Sequence, residues 1–299
     1  MTASQSKLAI RMAKIAARNT DGGLSYAPIT PGRIAISCNG ATLYLSADRL
    51  IGAQSEPNVS VFSANCDSPR VTLPRAFVER LTWVHRAAAK NDVRYAINSV
   101  LFDAAGGTLA ATDGHRLHVA DAPELAEVGL SAIVREEHVR FLLALIKEQG
   151  RGAEIAVQIG DSPAKGAVFF VGDAELHVRL IDGQYPDYRR VMADPSHMER
   201  HPADLPALAY KYKNHAKLVS ANPKLHGLRY NDGQGRSVIE DGTVIAEAPE
   251  LADALPLNQG VNIPYAADAR CKSSTTYINE DKMFIEAPDR SATLMNMRT

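Results

Sequence analysis

The chain has 299 residues, of which 45% are hydrophobic, 22% are charged and 6% are aromatic. This composition is typical of a globular protein of about two or three domains with cores built from Ala, Val, Ile and Leu. The 33 basic and 34 acidic side chains nearly cancel, so overall charge neither favours nor excludes a nucleic-acid partner. Three cysteines, Cys38, Cys66 and Cys271, lie far apart without paired spacing, which predicts a reducing, cytoplasmic location and no zinc site.

The N-terminal segment MTASQSKLAIRMAKIAARN has no long apolar run, which argues against a secretory signal and a membrane span. A basic amphipathic transit peptide is the alternative. Residues 5–18 have helical periodicity, with Leu8, Met12 and Ile15 on one face. A separate basic stripe, with no acidic residue between its members, is formed by Lys7, Arg11, Lys14 and Arg18.

Helices and strands are predicted in turn along the rest of the chain. A Gly/Pro-rich loop over 21–32 precedes the first strands, and the turn Asn39-Gly40 is a strong hairpin signal. The predicted strands cover 33–38, 41–47, 59–64, 93–102, 108–112 and three segments up to residue 181, with short strands again towards Thr299. The predicted helices cover 71–90, 134–150 and 207–222, and 194–206 is predicted to be a linker.

The two central helices carry clear apolar faces. In the first, Pro74 suits the first turn, and the buried face is Phe77, Leu81 and Val84. In the second, Gly150 ends the helix, and the inward residues are Val139, Leu142, Leu143 and Ile146. The order of helix and then hairpins predicts an α+β fold rather than an alternating βαβ chain.

An internal repeat supports this organisation. DGHRLHVADAPEL (113–125) is similar to DGTVIAEAPEL (241–251), and each follows a helix introduced by Leu-Pro. A third copy, GATLYLSADRL (40–50), is similar to GGTLAATDGHRL (106–117). Chance similarity among Ala-rich strand ends is the alternative. The repeat predicts that Asp113-Gly114 is a turn after a strand, used at several corners of the fold.

Catalytic motifs are absent from the sequence. There is no phosphate-binding GxxxxGK(S/T) loop, no GxGxxG after a strand, no GxSxG elbow and no HExxH. Asp113 and His115 could form an acid–base pair, but no Ser or Cys nucleophile is marked by its surroundings. The prediction is therefore a protein that is not an enzyme and needs no cofactor or metal.

Several segments resemble one family. NDVRYAINSVLF (91–102), TLAATDGHRL (108–117) and LIDGQYPDYRRV (180–191) are similar to the middle domain of the bacterial sliding clamp, the beta subunit of DNA polymerase III. KLVSANPKLHGLRY (217–230) and ATLMNMRT (292–299) resemble its last domain. The resemblance is strong over 70–192, moderate over 203–299 and weak over 1–65.

The resemblance implies a DNA-clamp fold of repeated helix-plus-antiparallel-strand half-units, with domains 1–66, 67–193 and 194–299. It implies a processivity factor that encircles duplex DNA as a head-to-tail homodimer. Such a protein tethers the replicative polymerase, the clamp loader and other proteins through short peptides. The implied partners thus include duplex DNA and proteins with clamp-binding peptides, and no membrane.

The resemblance also assigns residues. The peptide pocket is expected at Ile97, Thr112, Gly114, His115, Arg116, Leu117, Met295, Met297 and Arg298. DNA contacts are expected at Lys7, Arg11, Lys14, Arg18, Arg86, Lys90, Arg94, Tyr95, Lys213 and Lys217, and a subunit contact at Leu218 and Val219. The alternatives are that the methionines are plain core, that the basic residues form ordinary solvated helix faces, and that Arg94 and Tyr95 are strand residues.

The chain departs from the family pattern in three places. The sequence gives five half-units rather than six, because 67–74 leads directly from the first half-unit into the middle domain. The last helix, over 263–273, is short and weakly apolar. Asn296 replaces the usual Pro of the tail, and Ala96 an aromatic residue. A clamp with a modified ring is therefore predicted. The alternative is a clamp-like regulatory protein that binds clamp-interacting peptides or a clamp subunit without encircling DNA.

Overall fold

A computed structural model describes residues 11, 14–15, 25–30, 33–38, 40–46, 62–150, 152–160, 165–219, 228–233, 236–238 and 244–296. The chain forms two compact units. The first contains residues 1–109 and 121–186, and the second contains 110–120 and 187–299. These bounds differ from the three domains expected from the sequence, 1–66, 67–193 and 194–299, which remain a prediction.

The first unit combines helices with antiparallel hairpins. Its helices are α1 (Arg75–Val84), α2 (Glu124–Val128) and α3 (Glu136–Gln149). Its strands are β1 (Ser25–Thr30), β2 (Arg33–Cys38), β3 (Ala41–Ser46), β4 (Val71–Thr72), β5 (Ser99–Asp103), β8 (Ala132–Arg135), β9 (Ile155–Gly160), β10 (Gly166–Val171) and β11 (Ala174–Arg179). Strands β5 and β8 pair with each other, and the rest form one sheet.

The seven-stranded sheet of the first unit has the order β1-β2-β3-β11-β10-β9-β4. All of its described pairs are antiparallel, and β3 pairs with β11 with Leu43 opposite Leu176. The strands of the first predicted half-unit therefore continue the sheet of the middle segment directly. This pairing joins strands from the first and the middle segments of the chain in one continuous sheet.

The segment over residues 62–68, here called the strap, crosses four strands of that sheet. The amide of Phe62 donates to Thr42 Oγ1 on β3 (3.1 Å), and the amide of Ala64 donates to His177 Nδ1 on β11 (3.2 Å). Further along, Cys66 Sγ lies 3.8 Å from a carbonyl of β10, and Ser68 exchanges hydrogen bonds with Ile159 on β9. Each of these four strands therefore contributes a contact that holds the strap on the sheet.

Four phenylalanines lie in the core of the first unit. Phe77, Phe102, Phe141 and Phe169 are each about 1% exposed. The Phe102 ring packs edge-on against Phe77 (5.9 Å between centroids) and Phe169 (6.1 Å), an arrangement that adds to the burial energy. One aromatic from each of α1, β5, α3 and β10 therefore joins helices to strands.

The second unit contains two antiparallel sheets and short helices. Its strands are β6 (Thr108–Thr112, which begins in the first unit), β7 (Arg116–Asp121, which ends there), β12 (Glu199–His201), β13 (Leu228–Tyr230), β14 (Arg236–Val238), β15 (Val244–Glu247), β16 (Gly260–Asn262), β17 (Thr275–Ile278), β18 (Lys282–Ala287) and β19 (Arg290–Met295). Its helices are α4 (Leu205–Val219), α5 (Pro249–Asp253) and α6 (Ile263–Asp268). The sheet orders are β12-β17-β18-β19-β7-β6 and β15-β14-β13-β16.

The predicted α+β class is confirmed, and several local predictions are wrong. The expected loop over 21–32 contains β1, in which Pro28 is tolerated because β1 is the edge strand of its sheet. Of the strand expected over 59–64, residues 62–64 belong to the strap, and the rest lies outside the described residues. The expected strand over 93–102 begins only at Ser99.

The helix and linker predictions need smaller corrections. The helix expected over 71–90 is α1, for which Pro74 is the N-cap, followed by a 3-10 turn over His85–Ala87. Helix α3 ends at Gly150 as predicted, but Leu143 is half-exposed rather than buried. The linker over 194–206 contains β12 and a 3-10 turn over Pro195–His197. Among residues the structure describes, no helix is long and apolar enough to cross a membrane.

Candidate functional site

The corner between β6 and β7 is a tight, internally bonded turn. Gly114 has a φ of 90°, which a residue with a Cβ rarely adopts. Thr112 Oγ1 accepts from the Gly114 amide (3.0 Å) and donates to the Arg116 carbonyl (2.7 Å). Asp113 Oδ1 accepts from the amides of His115 and Arg116. The predicted turn is confirmed, and Asp113 Oδ1 holds it by accepting from two backbone amides.

Arg116 is the centre of a charged network beneath this turn. Its side chain is 9% exposed and pairs with Asp113 Oδ2 (3.0 Å) and Asp268 Oδ2 (2.8 Å). The guanidinium also lies 4.2 Å from the ring centroid of Tyr265. Burial, followed by the nearby Asp113 carboxylate, raises the pKa of Tyr265. Because Arg116 is held on several sides, it fixes the turn relative to α6.

The C-terminal tail lies directly beside the turn. Strands β19 and β7 pair with Leu294 opposite Arg116, and the Met295 amide donates to the His115 carbonyl (2.9 Å). His115 is exposed, and 46% of Met295 is exposed. The turn and the tail residue expected to form two sides of one pocket are therefore adjacent.

Asn296, which stands where the family usually has a proline, makes two hydrogen bonds to the turn after β17. Its amide donates to the Asp281 carbonyl (2.8 Å), and its side chain donates to the Asn279 carbonyl (2.8 Å). A proline at this position could make neither bond, because it has no backbone N–H and no side-chain donor. Asn296 therefore anchors the tail to the β17–β18 turn.

Val191 extends the apolar surface near Met295. Val191 is 52% exposed, and its carbonyl accepts from Lys282 Nζ (3.4 Å). Lys282 lies opposite Met295 in the β18–β19 pair. Thr293 Oγ1 accepts from the Ala193 amide (3.2 Å), which holds the chain after Val191 against β19.

Of the remaining residues predicted for the pocket, two are buried and two lie outside the described residues. Leu117 is 3% exposed, so it can contribute only to the floor of a site. Ile97 lies in the first unit, 3% exposed, at the end of a 3-10 turn over Tyr95–Ile97. Met297 and Arg298 lie outside the described residues.

The basic stripe predicted for the first helix is described at two of its four positions. Arg11 and Lys14 are helical and exposed, and Arg11 Nη1 pairs with Glu148 Oε2 on α3 (3.2 Å). Lys7 and Arg18 lie outside the described residues. The pairing of Arg11 means that one charge of the stripe is partly neutralised by an acid far away in the sequence.

The loop that follows α1 places further cations at the surface. Arg86 and Lys90 are exposed. Arg94 makes a bidentate pair with Asp92, at 2.9 Å for both Nε and Nη2, and is itself exposed. Tyr95, the next residue, is 60% exposed. Arg94 and Tyr95 thus belong to a loop and a 3-10 turn, not to a strand, because Asn91 turns the chain with a φ of 57°.

Lys213 is held against a neighbouring aromatic ring on α4. Its Nζ lies 3.6 Å from the ring centroid of Tyr210. Lys217, Leu218 and Val219 are backbone positions in the last turns of α4, and their side chains lie outside the described part of the structure. The expected subunit contact is therefore untested.

Sequence reasoning missed the residues of α6. Tyr265 and Asp268 complete the Arg116 network, and Asn262 caps the helix by accepting from the Tyr265 amide (3.1 Å). The signal was present as Asn-x-Pro-Tyr, an N-cap followed by a proline suited to the first turn. The expected last helix, short and weakly apolar over 263–273, is α6, which has six residues. No cluster of three metal-ligating side chains occurs among the residues described.

Comparisons with known proteins agree with this geometry. Residues 72–187 match the family model for the central domain of the DNA polymerase III beta subunit. The beta sliding clamp of Salmonella typhimurium is 29% identical over 235 residues, which cover 74% of this chain and 62% of that protein. The beta sliding clamp of Proteus mirabilis is 32% identical over 66% of this chain and 54% of its own length. The match thus spans less than two thirds of these relatives.

Solved structures share the fold over a longer span. The DNA polymerase III subunit beta of Borrelia burgdorferi superposes with a TM-score of 0.71 over 98% of this chain and 97% of that chain, at 13% identity. The DNA polymerase sliding clamp of Pseudomonas aeruginosa gives 0.66 over 98% of each chain, at 17% identity. Coverage is larger than in the sequence matches because fold is shared where sequence similarity is no longer measurable. These structures establish the fold alone.

Proposed function

We propose that this chain is a DNA sliding clamp of the DNA polymerase III beta subunit family, which tethers replication and repair proteins to duplex DNA, because residues 72–187 match the family model for the central domain of that subunit and the relatives are beta sliding clamps. The antiparallel pairing of β7 with β19, which brings the His115 turn beside Met295, carries the proposal. No catalytic step is part of this function. The protein would act in the cytoplasm by binding other proteins and keeping them on DNA.

The peptide-binding part of the proposal follows from the surface formed by Val191, His115 and Met295. The thioether of Met295 is flexible and polarisable, so it can repack against apolar side chains of different shape. The Arg116 network keeps the turn rigid, since Arg116 is paired with two carboxylates. A short peptide would bury apolar side chains on Met295 and Val191 and use polar groups of the turn for orientation.

The DNA-binding part follows from cations on helices and one loop. Lys14, Arg86, Lys90 and Lys213 are placed on or next to helices, with Arg94 on the loop after α1. Lys and Arg contact phosphates by charge and read no sequence. This chemistry suits a protein that must slide along any DNA.

Solution mass tests whether a ring can form. A clamp with a modified ring should be a stable dimer or larger oligomer of the 32.3 kDa chain in light scattering across a range of concentrations. The subunit contact would have to be a modified one, because the sequence is predicted to lack one half-unit of the first domain. A persistent monomer would exclude a self-made ring and favour the clamp-like regulatory protein.

Peptide affinity tests the pocket independently of the ring. We expect His115→Ala and deletion of residues 295–299 each to weaken binding of a fluorescent peptide carrying a clamp-binding sequence, by about fivefold or more, as for central interface residues. His197→Ala is the matched control, because His197 lies in the same unit and its side chain is 84% exposed. Unchanged affinity in both pocket variants would remove the pocket assignment.

A further inference from the structure

One sheet of the second unit ends in an open edge. Its four strands have the order β15-β14-β13-β16, and all of its described pairs are antiparallel. Strand β15 (Val244–Glu247) is at one end of this order and pairs with β14 on its inner side. Among the strands that the structure describes, none pairs with the outer side of β15. An edge of this kind can take up a strand from another polypeptide.

The two larger sheets show what pairs with such an edge elsewhere in the chain. In one sheet, the consecutive strands β1-β2-β3 and β9-β10-β11 join through their last strands, with Leu43 on β3 opposite Leu176 on β11. In the other, β17-β18-β19 and the hairpin β6-β7 join in the same way, with Thr293 on β19 opposite Leu117 on β7. Both joints are antiparallel and connect a last strand to a last strand.

The internal repeat gives β15 the same position as β7. Segments 113–125 and 241–251 are similar in sequence, and they contain β7 and β15 respectively. Strand β15 is also the last strand of the series β13-β14-β15. The other last strands of the described series, β3, β7, β11 and β19, pair with one another. The described part of the chain therefore leaves β15 over, and a second copy of the chain supplies a strand of the same kind.

The sequences of the sheet edges favour β15 for this contact. Edge strand β1 contains Pro28, and edge strand β12 has the sequence Glu-Arg-His over 199–201. Proline and charged residues at an edge hinder pairing between molecules. Strand β15 has the sequence Val-Ile-Ala-Glu, with no proline and with its one charge at the end. Val and Ile are also enriched in strands because their branched side chains fit a pleated surface.

We propose that β15 pairs antiparallel with β15 of a second copy of the chain on a two-fold axis, so that the two four-stranded sheets form one sheet. Such a contact is isologous, because the same strand serves both copies. Since side chains alternate between faces along a strand, the axis passes beside a residue that lies opposite its own copy. At the centre of β15 this residue is Ile245 or Ala246. The contact differs from the head-to-tail contact that the family resemblance implies, and it holds whether or not the chain encircles DNA.

Crosslinking at single cysteines tests the pairing. Each residue over 244–247 is replaced by cysteine in turn, in a background with Cys66→Ser and Cys271→Ser, which removes the two half-buried native thiols. The displacement between a residue and its copy grows by about 7 Å for each step away from the axis, which is twice the rise per residue. Disulfide-linked dimer on a non-reducing gel should therefore peak at Ile245→Cys or Ala246→Cys and fall by about fivefold or more two positions away.

A control and a second measurement accompany the crosslinking. Arg200→Cys, on the exposed edge strand β12, is the matched control and should give only background dimer. Hydrogen exchange of the unaltered chain does not depend on the folding of any variant. Amides of β15 should exchange about fivefold or more slowly at concentrations where light scattering shows a dimer than where it shows a monomer, because paired amides are protected. Amides of β12 should exchange equally fast at both concentrations.

The outcomes separate this inference from the proposed function. A monomer at every concentration would overturn the pairing. A dimer with neither a crosslinking peak within β15 nor protection of its amides would also overturn it, because the subunit contact would then lie elsewhere. A dimer that crosslinks at the centre of β15 but does not bind duplex DNA would support the pairing and contradict the clamp function. Far-ultraviolet circular dichroism of each cysteine variant establishes that it is folded.

Discussion

The strap depends on two glycines that face each other across the sheet. Gly160 on β9 is paired with Gly166 on β10. A Cβ added at Gly160 would lie 2.8 Å from Cys66 Cα and still closer to the Asn65 carbonyl oxygen, and one added at Gly166 would lie 2.7 Å from Ala64 Cβ. The strap therefore passes over a patch of the sheet that has no side chains, as is common where two backbones approach closely.

Gly160→Ala should detach this part of the strap. The atoms that the new methyl group meets are backbone atoms, which cannot rotate away, so the strap must rise by about 1 Å to restore contact distances near 3.5–4 Å. Such a shift breaks the bonds between Ser68 and Ile159 (2.8 and 3.3 Å). Two hydrogen bonds of about 0.5–1.5 kcal/mol each and an overpacking cost of about 1–3 kcal/mol give a loss of roughly 2–6 kcal/mol in the free energy of unfolding.

Thermal unfolding and hydrogen exchange measure this loss. We expect the Tm of Gly160→Ala to fall by roughly 4–24 °C, from about 2–4 °C per kcal/mol for a unit of this size, and amide exchange in the strap to accelerate. Gly152→Ala is the matched control, because a Cβ there meets nothing within 4 Å. A Gly160→Ala variant that melts within a degree or so of Gly152→Ala would show that the strap does not lie close to the sheet.

Three further changes test other parts of the molecule. Asp92→Asn should strengthen duplex binding and steepen its salt dependence by roughly one phosphate contact, because it frees Arg94 from its bidentate pair; unchanged anisotropy curves would contradict this. Asp268→Asn should lower the free energy of unfolding in urea by about 1 kcal/mol, a modest value because Asp268 is 42% exposed; a loss near zero would mean that Asp113 alone holds Arg116. Burial lowers the pKa of His85 from its ordinary 6.5, so the unfolded chain binds the proton more readily and stability should fall as pH drops from about 7 to below 6.5. His85→Gln should lose less stability over that interval in thermal melts, and equal losses would refute the assignment.

Local chemistry determined the parts of the fold that the sequence predicts well. The turn after β6 was predictable because Asp-Gly supplies both a side-chain acceptor and the left-handed conformation that Gly114 adopts. Helix α3 was predictable because an amphipathic run of 14 residues ends at Gly150. The position of Met295 beside His115 was expected only from the family resemblance, since no local signal connects a tail to a turn 180 residues earlier.

The parts that were missed depend on contacts between distant segments. The residue pattern over 59–64 predicted a strand, and the strap does alternate half-buried and exposed residues from Phe62 to Asp67. In the structure its inward residues bind across the sheet instead of along a neighbouring strand, because Thr42 and His177 present side-chain acceptors to its amides. Likewise, nothing local to Arg116 indicates Asp268, which is 152 residues away.

The predicted loss of a half-unit bears on the sheet of the first unit. Removing a half-unit from a sheet protein would leave the hydrogen-bonding edges of its neighbours unpaired, which invites aggregation. Here β3 pairs with β11, so strands β1–β3 and β9–β11 form one sheet. The strap, which follows β3 in the chain, lies on the face of that sheet over Gly160 and Gly166. The first unit therefore has a continuous sheet, and closure of the proposed ring depends on the contact between subunits.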